Sequence, residues 1–168
     1  GLKFYLPKSQ RLCDTGTILL YEAGEALRFD EMSVRAGVMG TLRVLQDKDM
    51  ISSRGVSKTN AEPVFCQSSR WIRASQGGLL RTYKSEGDTV KEGDVLAVVS
   101  DPFGEVEAEV IADLPGIIVG RAVLPIVNEG DALFHVARAG AVDDANKKMN
   151  TISTQLEDDP LFDEDEII

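Results

Sequence analysis

An internal repeat in the second half of the chain constrains the fold more than any other feature. Residues 78–99 and 116–136 align with a single-residue indel, and each copy carries Glu-Gly-Asp between two apolar runs. Each copy therefore predicts a strand, a turn at Glu-Gly-Asp and a second strand. Two such halves related by a pseudo-twofold axis can close a flattened barrel with little exposed strand edge. The repeat thus predicts a compact all-β module.

The segment between the two copies fits the same interpretation. Residues 101–104 read Asp-Pro-Phe-Gly, which predicts a turn, and residues 105–110 alternate polar and apolar side chains as a half-exposed strand does. The module resembles the barrel-sandwich hybrid of biotinyl and lipoyl domains. Those domains present a modified lysine at the tip of the hairpin that joins the halves, whereas residues 100–110 contain no lysine. Covalent attachment of biotin or lipoate is therefore not expected.

The first 56 residues show a different pattern, namely a strand, a loop and a helix. Residues 17–21 form a continuous apolar run and predict a strand that is buried on both faces. A helix is predicted to begin near Asp30, whose carboxylate can cap the backbone N–H of Ser33. Phe29 can pack on Val34 as a hydrophobic staple.

The predicted helix has one apolar face that needs a partner. Its aliphatic residues at helical spacing are Val34, Val38, Leu42 and Leu45. Gly37 and Gly40 each cost the helix roughly 1 kcal/mol relative to Ala, which is reasonable if they let the backbone lie close to a sheet. One strand and one helix cannot bury this face. We therefore expect further strands, supplied by a missing upstream part or by a second copy of the chain.

Charge and composition limit the classes of partner. The net charge is −10, and residues 141–168 hold nine acids against two lysines, so this segment predicts a solvated acidic tail with a weakly amphipathic stretch near residues 146–156. This charge distribution speaks against nucleic acid and anionic membranes as partners, because clustered Lys and Arg are absent. No spanning run or signal pattern occurs, so a cytoplasmic location is expected. Cys13 and Cys66 have no ligand-spaced neighbours and are expected to be reduced.

Glu22 is the candidate catalytic residue, because it follows the predicted buried strand at the edge of a sheet where ligands bind in open α/β folds. Two parts of the chain resemble the succinylglutamate desuccinylase/aspartoacylase family. The segments that resemble the end of its zinc carboxypeptidase-like catalytic domain are 19–31 and 35–40, and those that resemble its C-terminal β-domain are 71–74, 77–78 and 87–94. The similarity spans about residues 17–137, with the segments in the family's order.

The resemblance implies an α+β, mostly β chain. Residues 1–56 would be the C-terminal edge of the α/β catalytic domain, residues 57–139 the barrel-sandwich-like domain, and residues 140–168 the acidic tail. It also implies a zinc-dependent hydrolase that cleaves the amide bond of N-acyl amino acids. Glu22 would then take a proton from zinc-bound water and pass it to the leaving amine. Arg28 could bind a substrate carboxylate, and the alternative is an ion pair with Glu25 or Glu31.

The family's zinc ligands, a His-x-x-Glu pair and a later His, have no counterpart in this sequence. The only histidine, His135, lies in the second repeat and is expected to be a half-buried strand residue rather than a ligand. Zinc is therefore expected only in the parent enzyme, with ligands upstream of Gly1, and the chain alone is expected to be inactive. The alternatives are a structural or assembly β-module, or a lipoyl/biotinyl-like domain without its lysine. The acyl group and the amino acid of the substrate stay open.

Overall fold

The computed structural model describes residues 3–5, 19–52, 56, 58–59 and 62–158. In chain order the elements are β1 (Lys3–Tyr5), β2 (Leu20–Glu22), α1 (Glu31–Asp47), β3 (Ser69–Arg73), β4 (Gly78–Thr82), β5 (Thr89–Val90), β6 (Val95–Ser100), β7 (Glu107–Ile111), β8 (Gly116–Arg121), β9 (Ile126–Val127), β10 (Ala132–Arg138) and α2 (Val142–Asp158). They form two compact units. Pro63–Met149 make the β unit, and the described residues up to Glu62 together with those from Asn150 make the second unit.

Two four-stranded antiparallel sheets build the β unit, and the repeat is visible in their strand orders. Sheet I has the order β3-β10-β8-β5, and sheet II has the order β7-β6-β4-β9. The first copy supplies β4, β5 and β6, and the second supplies β8, β9 and β10. The short middle strand of each copy therefore pairs in the sheet that contains the two longer strands of the other copy. Neither sheet closes into a barrel among the residues that the structure describes.

The Glu-Gly-Asp turns are confirmed and have the same geometry in both copies. Gly93 and Gly130 have φ values of 92° and 86°, a region that favours glycine. The aspartate after each glycine accepts a hydrogen bond from the backbone N–H three residues earlier, at 2.9 Å in the first copy and 2.8 Å in the second. The turn chemistry therefore fixes where each second strand begins.

The glycine that opens each copy is required by the close approach of two backbones. A Cβ atom on Gly78 would overlap the carbonyl oxygen of Ser100, and a Cβ atom on Gly116 would overlap that of Ala137. In each copy the glycine thus lets the first long strand lie against the end of the second. The steric contact explains why both copies of the repeat have glycine at this position.

The apolar core of the β unit draws on both copies. Its fully buried large side chains are Val90, Leu96, Val99, Ile118, Leu133, Phe134 and Val136. His135 lies on β10, as predicted, and at 8% exposure is more buried than the half-buried position that we expected. Its Nε2 atom lies 2.8 Å from Ser69 Oγ, and its ring stacks on Trp71 with centroids 4.4 Å apart.

The start of α2 covers the outer face of sheet I. The residues in this second apolar cluster are Ile117, Ala139 and Ala145, with Val64, Val119 and Met149 packed against them. The helix occupies Val142–Asp158 and so includes the stretch that was predicted to be weakly amphipathic. In the second unit its Leu156 is 7% exposed. Neither α1 nor α2, the helices of the described residues, could cross a membrane.

The hairpin between β6 and β7 contains the predicted Asp-Pro-Phe-Gly turn. The backbone N–H of Gly104 donates to the carbonyl oxygen of Asp101 at 3.2 Å, and the carboxylate of Asp101 accepts the N–H of Glu105 at 2.8 Å. The strand β7 begins at Glu107, two residues later than predicted, and alternates exposed and more buried residues until Val110. This part of the sequence prediction is confirmed apart from that boundary.

In the second unit, the helix start is confirmed, whereas the predicted burial around it is wrong. Asp30 is the N-cap of α1 and accepts the backbone N–H of Ser33 at 3.4 Å. Phe29 is 96% exposed and therefore makes no staple with Val34. The buried residues of α1 are Ala36 and Met39, which lie outside the predicted stripe, whereas Leu42 and Leu45 of that stripe are half-buried.

The predicted double burial of the first strand is not found within the described residues. Leu19, Leu20 and Tyr21 are 50%, 47% and 36% exposed, because among the described residues β2 pairs with β1 alone in a two-stranded sheet. Residues 17 and 18 of the predicted strand lie outside the described residues. Val34 and Val38 of α1 are likewise 44% and 40% exposed. The strand and the helix exist as predicted, and within the described residues they lack the additional layer that would cover them.

Candidate functional site

Glu22 is the last residue of β2, and its side chain is exposed. In the two-stranded sheet it lies opposite Lys3. The chain then leaves the sheet through an irregular loop that reaches the N-cap of α1 at Asp30. The candidate carboxylate therefore lies at the strand end, which is the position that the sequence predicted.

Tyr21 connects this strand to the start of α1. Its hydroxyl donates a hydrogen bond of 2.5 Å to the carbonyl oxygen of Ser33. Its ring lies so close to Gly37 that a Cβ atom there would be 3.0 Å from the ring. Burial, followed by the negative charge of Asp30, raises the pKa of Tyr21. The Tyr21 hydroxyl therefore links the end of β2 to the first turn of α1.

Asp30 organises the other end of the loop. Its carboxylate accepts the N–H of Met32 and the hydroxyl of Ser33, each at 3.0 Å. The Ser33 hydroxyl is the largest cause of the lowered pKa of Asp30, and burial opposes it. The charged carboxylate lies at the positive end of the helix dipole, where it is favourable. The loop is therefore held by polar contacts at both of its ends.

The loop itself contains two residues with positive φ. Gly24 has a φ of 75°, which glycine adopts readily, and Leu27 has a φ of 69°, which is uncommon for a leucine. The Leu27 side chain is fully exposed. Strained positions of this kind cost about 1–3 kcal/mol and cluster at ligand-binding segments, so Leu27 marks this loop as a segment of interest that the sequence did not reveal.

Arg28 forms an ion pair with Glu25, with 2.9 Å between Nε and Oε1. This is one of the two pairings weighed from the sequence; Glu31 instead pairs with Arg35 at 3.2 Å. The Arg28 side chain is 72% exposed, and exposed pairs of this kind contribute only about 0–1 kcal/mol. Arg28 could therefore exchange Glu25 for a substrate carboxylate at low cost, and its role in substrate binding stays a prediction.

The described residues do not supply a zinc site. Within 3–5, 19–52, 56, 58–59 and 62–158, no three His, Cys, Asp or Glu side chains come together in a group that could hold a metal ion. Two surface hollows of about 240 and 350 Å³ are lined by other residues, so neither includes Glu22 or Arg28. The described part of the candidate site therefore consists of the Glu22 carboxylate, the loop that follows it and Arg28, all at the surface.

The roles of Glu22 and Arg28 stay predictions, and the sequence did not indicate the contact of Tyr21 with the start of α1. The hydrogen bond from Tyr21 to Ser33 links residues twelve positions apart, and no local pattern indicates such a bond. Gly37 was the available signal. Its predicted close approach to a sheet is confirmed by the Tyr21 ring, whereas a Cβ atom added to Gly40 would meet no described atom within 4 Å outside its own helix backbone.

The arrangement defines the fold class as mostly β α+β, with antiparallel sheets and two helices. Several solved structures similar to this chain are described as succinylglutamate desuccinylase/aspartoacylase family proteins. One such protein from Shewanella frigidimarina is 16% identical and aligns over 73% of this chain with a TM-score of 0.64. A second from Shewanella amazonensis is 20% identical over 72% of this chain, also with a TM-score of 0.64. The resemblance noted in the sequence is confirmed at the level of fold.

A third similar structure has a more specific description. The apo form of the ectoine utilization protein EutE (DoeB) from Ruegeria pomeroyi is 19% identical over 72% of this chain, with a TM-score of 0.63. The alignments cover 34%, 34% and 39% of the three solved chains, so this chain spans little more than a third of their length. No family model matches the sequence, and no curated protein matches it by sequence.

Proposed function

We propose that this chain is the C-terminal portion of a deacylase-type hydrolase that cleaves the amide bond of N-acyl amino acids. The supporting observation is the extent of the structural match. The β unit, Pro63–Met149, is about half of the 168 residues, so a match over 73% of the chain also includes part of the second unit. A β-module shared with unrelated proteins would not produce similarity of that extent.

Within this proposal Glu22 is the general base and then the general acid. It accepts a proton from water while the water oxygen attacks the amide carbonyl, and it returns the proton to the nitrogen as the C–N bond breaks. The exposed position of Glu22 at the end of β2 leaves its carboxylate open to a ligand. Arg28 would bind a carboxylate of the amino acid, since a guanidinium matches that group with two parallel hydrogen bonds.

The proposal also includes the remaining features implied by the resemblance. Zinc would be held by residues upstream of Gly1, because the described residues lack a ligand set. The β unit would be a barrel-sandwich hybrid, which is supported by the exchange of β5 and β9 between its two sheets. The substrate would be a small cytoplasmic molecule rather than nucleic acid or a membrane. Completion of the second unit would come from an upstream segment or from a second copy.

A non-catalytic role for the β unit is the second candidate. Its core is assembled from its own strands and buries residues from both copies, so it does not depend on a ligand. In that role the unit would border the site or mediate assembly. The β unit could be exchanged between relatives and the substrate selectivity measured. A purely structural β unit would leave selectivity unchanged, whereas one that contributes to substrate choice would change it.

The test of the deacylase proposal uses the full-length enzyme and a panel of N-acyl amino acids that includes N-succinylglutamate and N-acetylaspartate. Glu22→Gln is expected to lower kcat by about 10²- to 10⁴-fold, the usual contribution of a general acid–base group. Glu31→Gln is the matched control, since Glu31 is an exposed glutamate at the start of α1, and it is expected to retain activity.

Metal analysis accompanies the kinetic assay. Glu22→Gln is expected to keep the zinc content of the parent enzyme, while the 168-residue chain alone is expected to bind no stoichiometric zinc. Unchanged turnover in Glu22→Gln would remove the assignment of Glu22. Absence of hydrolysis across the panel by the zinc-loaded enzyme would remove the deacylase proposal itself.

A further inference from the structure

The segment that carries Glu22 and Arg28 is attached at both of its ends to one residue of α1, Ser33. At the strand end, the hydroxyl of Tyr21 donates a hydrogen bond of 2.5 Å to the Ser33 carbonyl oxygen. At the helix end, the Asp30 carboxylate accepts the Ser33 backbone N–H at 3.4 Å and the Ser33 hydroxyl at 3.0 Å. The backbone N–H, the carbonyl oxygen and the hydroxyl of Ser33 therefore all hold this segment.

The middle of the segment also lies near Ser33. A Cβ atom on Gly24 would be 3.9 Å from both Cβ and Oγ of Ser33, and the φ of Gly24 is 75°. The chain therefore turns back toward the start of α1 two residues after Glu22. Since Tyr21 precedes Glu22 and Gly24 follows it closely, the backbone on either side of Glu22 lies against the same point of the helix.

The contacts of Tyr21 also determine which way the Glu22 side chain points. Successive side chains of a strand point to opposite faces. Tyr21 faces α1, because a Cβ atom on Gly37 would be 3.0 Å from its ring, so Glu22 faces away from the helix, in agreement with its exposure. The strand β2 has three residues and, within the described part of the chain, pairs with β1 alone. Few other contacts would therefore resist a rotation of β2 about its axis.

We propose that Tyr21 is a positioning residue for Glu22, because its hydrogen bond to Ser33 sets the rotation of β2 and thereby the direction of the Glu22 carboxylate. This inference rests on the proposed role of Glu22 as the general base. Proton transfer needs the carboxylate within hydrogen-bond distance of the attacking water, and a displacement of about 1 Å can lower turnover about 10²-fold. Tyr21 faces α1 and touches no reacting atom in this scheme.

The first test is Tyr21→Phe in the full-length enzyme, which removes the hydroxyl and keeps the ring. We expect kcat on the hydrolysed N-acyl amino acid to fall about 10- to 100-fold, while KM changes by less than about twofold because ground-state binding is retained. Tyr83→Phe is the matched control, since the Tyr83 hydroxyl also forms a hydrogen bond, with Arg81 at 2.7 Å, but lies in the β unit. It is expected to keep kcat.

Combination with Glu22→Gln distinguishes positioning from a merely structural role. If Tyr21 acts through Glu22, the double variant has the same residual kcat as Glu22→Gln alone, because no carboxylate is left to position. If Tyr21 only stabilises the fold, the second substitution lowers the residual kcat by the same factor as it does in the unchanged enzyme.

A pair of glycine substitutions on α1 tests the same contact with the Tyr21 hydroxyl still present. Gly37→Ala places a Cβ 3.0 Å from the Tyr21 ring and must displace it, whereas the Cβ of Gly40→Ala meets no described atom within 4 Å outside its helix backbone. We expect Gly37→Ala to lower kcat, by less than Tyr21→Phe does, and Gly40→Ala to keep it. This pair decides the question if Tyr21→Phe does not fold.

Nuclear magnetic resonance relaxation of the 168-residue chain gives a readout that does not depend on activity. The order parameter of the Glu22 amide is expected to fall from the rigid value of about 0.85 to below about 0.6 in Tyr21→Phe. The amide of Trp71, on β3 of the β unit, is expected to stay unchanged and serves as the internal reference.

Three results would overturn the inference: full kcat in Tyr21→Phe, a multiplied loss in the double variant, and an unchanged order parameter at Glu22. Each leaves the deacylase proposal in place as long as Glu22→Gln loses turnover. Absence of hydrolysis by the unchanged, zinc-loaded enzyme removes the deacylase proposal and this inference together. The activity of the unchanged enzyme therefore separates the two failures.

Discussion

Two glycines of the second repeat are expected to be required for different reasons. Gly116 avoids a steric clash, and Gly130 adopts a backbone conformation that favours glycine. Gly116→Ala places a Cβ against the carbonyl group of Ala137 and 3.0 Å from Val136 Cγ1. Both contacts belong to β10, which is paired on both sides and cannot retreat. Overpacking of a tight site costs typically 1–3 kcal/mol and occasionally more. Because the clash is with backbone, we expect a loss of about 3 kcal/mol or more.

Gly130→Ala has the opposite character. A Cβ there would meet no atom of the described residues within 4 Å apart from its chain neighbours, so the obstacle is the φ of 86°. The left-handed conformation costs roughly 1–2 kcal/mol for a residue with a Cβ. Alanine also lowers the conformational entropy of the unfolded chain, which offsets about 0.4–1 kcal/mol of that cost. The net expectation is a destabilisation of about 1 kcal/mol.

Urea unfolding followed by the fluorescence of Trp71 measures both variants. The chain contains a single tryptophan, and it lies on β3 of sheet I, so the signal reports the β unit. The free energies of unfolding are compared between variants that have equal m-values, because a shift of the urea midpoint then reflects a change in stability. If Gly116→Ala costs no more than Gly130→Ala, the steric explanation of the repeat glycines is wrong.

Four further outcomes are expected. Gly40→Ala should raise the thermal stability of α1 by about 1 kcal/mol, since the added Cβ meets open space, and Gly37→Ala should give less or destabilise because Tyr21 must move. Asp30 has a lowered folded pKa, so the advantage of the unchanged chain over Asp30→Asn, measured by circular dichroism, should be present at neutral pH and fade as the pH falls from about 4 through that lower pKa. The Tyr21 phenol should titrate above the ordinary value near 10 in ultraviolet absorbance, and Tyr21→Phe should remove that transition. Intact mass of the full chain should show no biotin or lipoate, and an added cofactor would restore the carrier-domain alternative.

The repeat was sufficient to predict the β unit because its information is local. Each Glu-Gly-Asp turn is encoded by a glycine and by an aspartate that accepts the backbone N–H three residues earlier. A different glycine, at the start of each copy, lies where two backbones come close together. The start of α1 was predictable for the same reason, since Asp30 caps its own helix. These features need no knowledge of distant residues.

Burial in the second unit could not be predicted in the same way. The apolar residues Val34 and Val38 have helical spacing, yet Ala36 and Met39 are the buried ones. An apolar stripe indicates that a face can be buried, and only the neighbouring elements decide which face is. The bond from Tyr21 to Ser33 has the same origin, because it depends on how the strand and the helix meet. The position of Glu22 at the strand end followed from the sequence, its catalytic role stays a prediction that rests on the family resemblance, and its surroundings could not be predicted.

The exchange of β5 and β9 between the sheets has a consequence for how such a module can arise and be taken apart. A half-length polypeptide would leave the edge of its own sheet unfinished and carry a short strand with nothing to pair with. Two identical halves meeting head to head would satisfy both needs at once, so an ancestor of half the size could have been an obligate dimer before its gene was doubled. By the same reasoning, complementary fragments cut at the Asp-Pro-Phe-Gly hairpin should each stay unstructured and recover their fold on mixing.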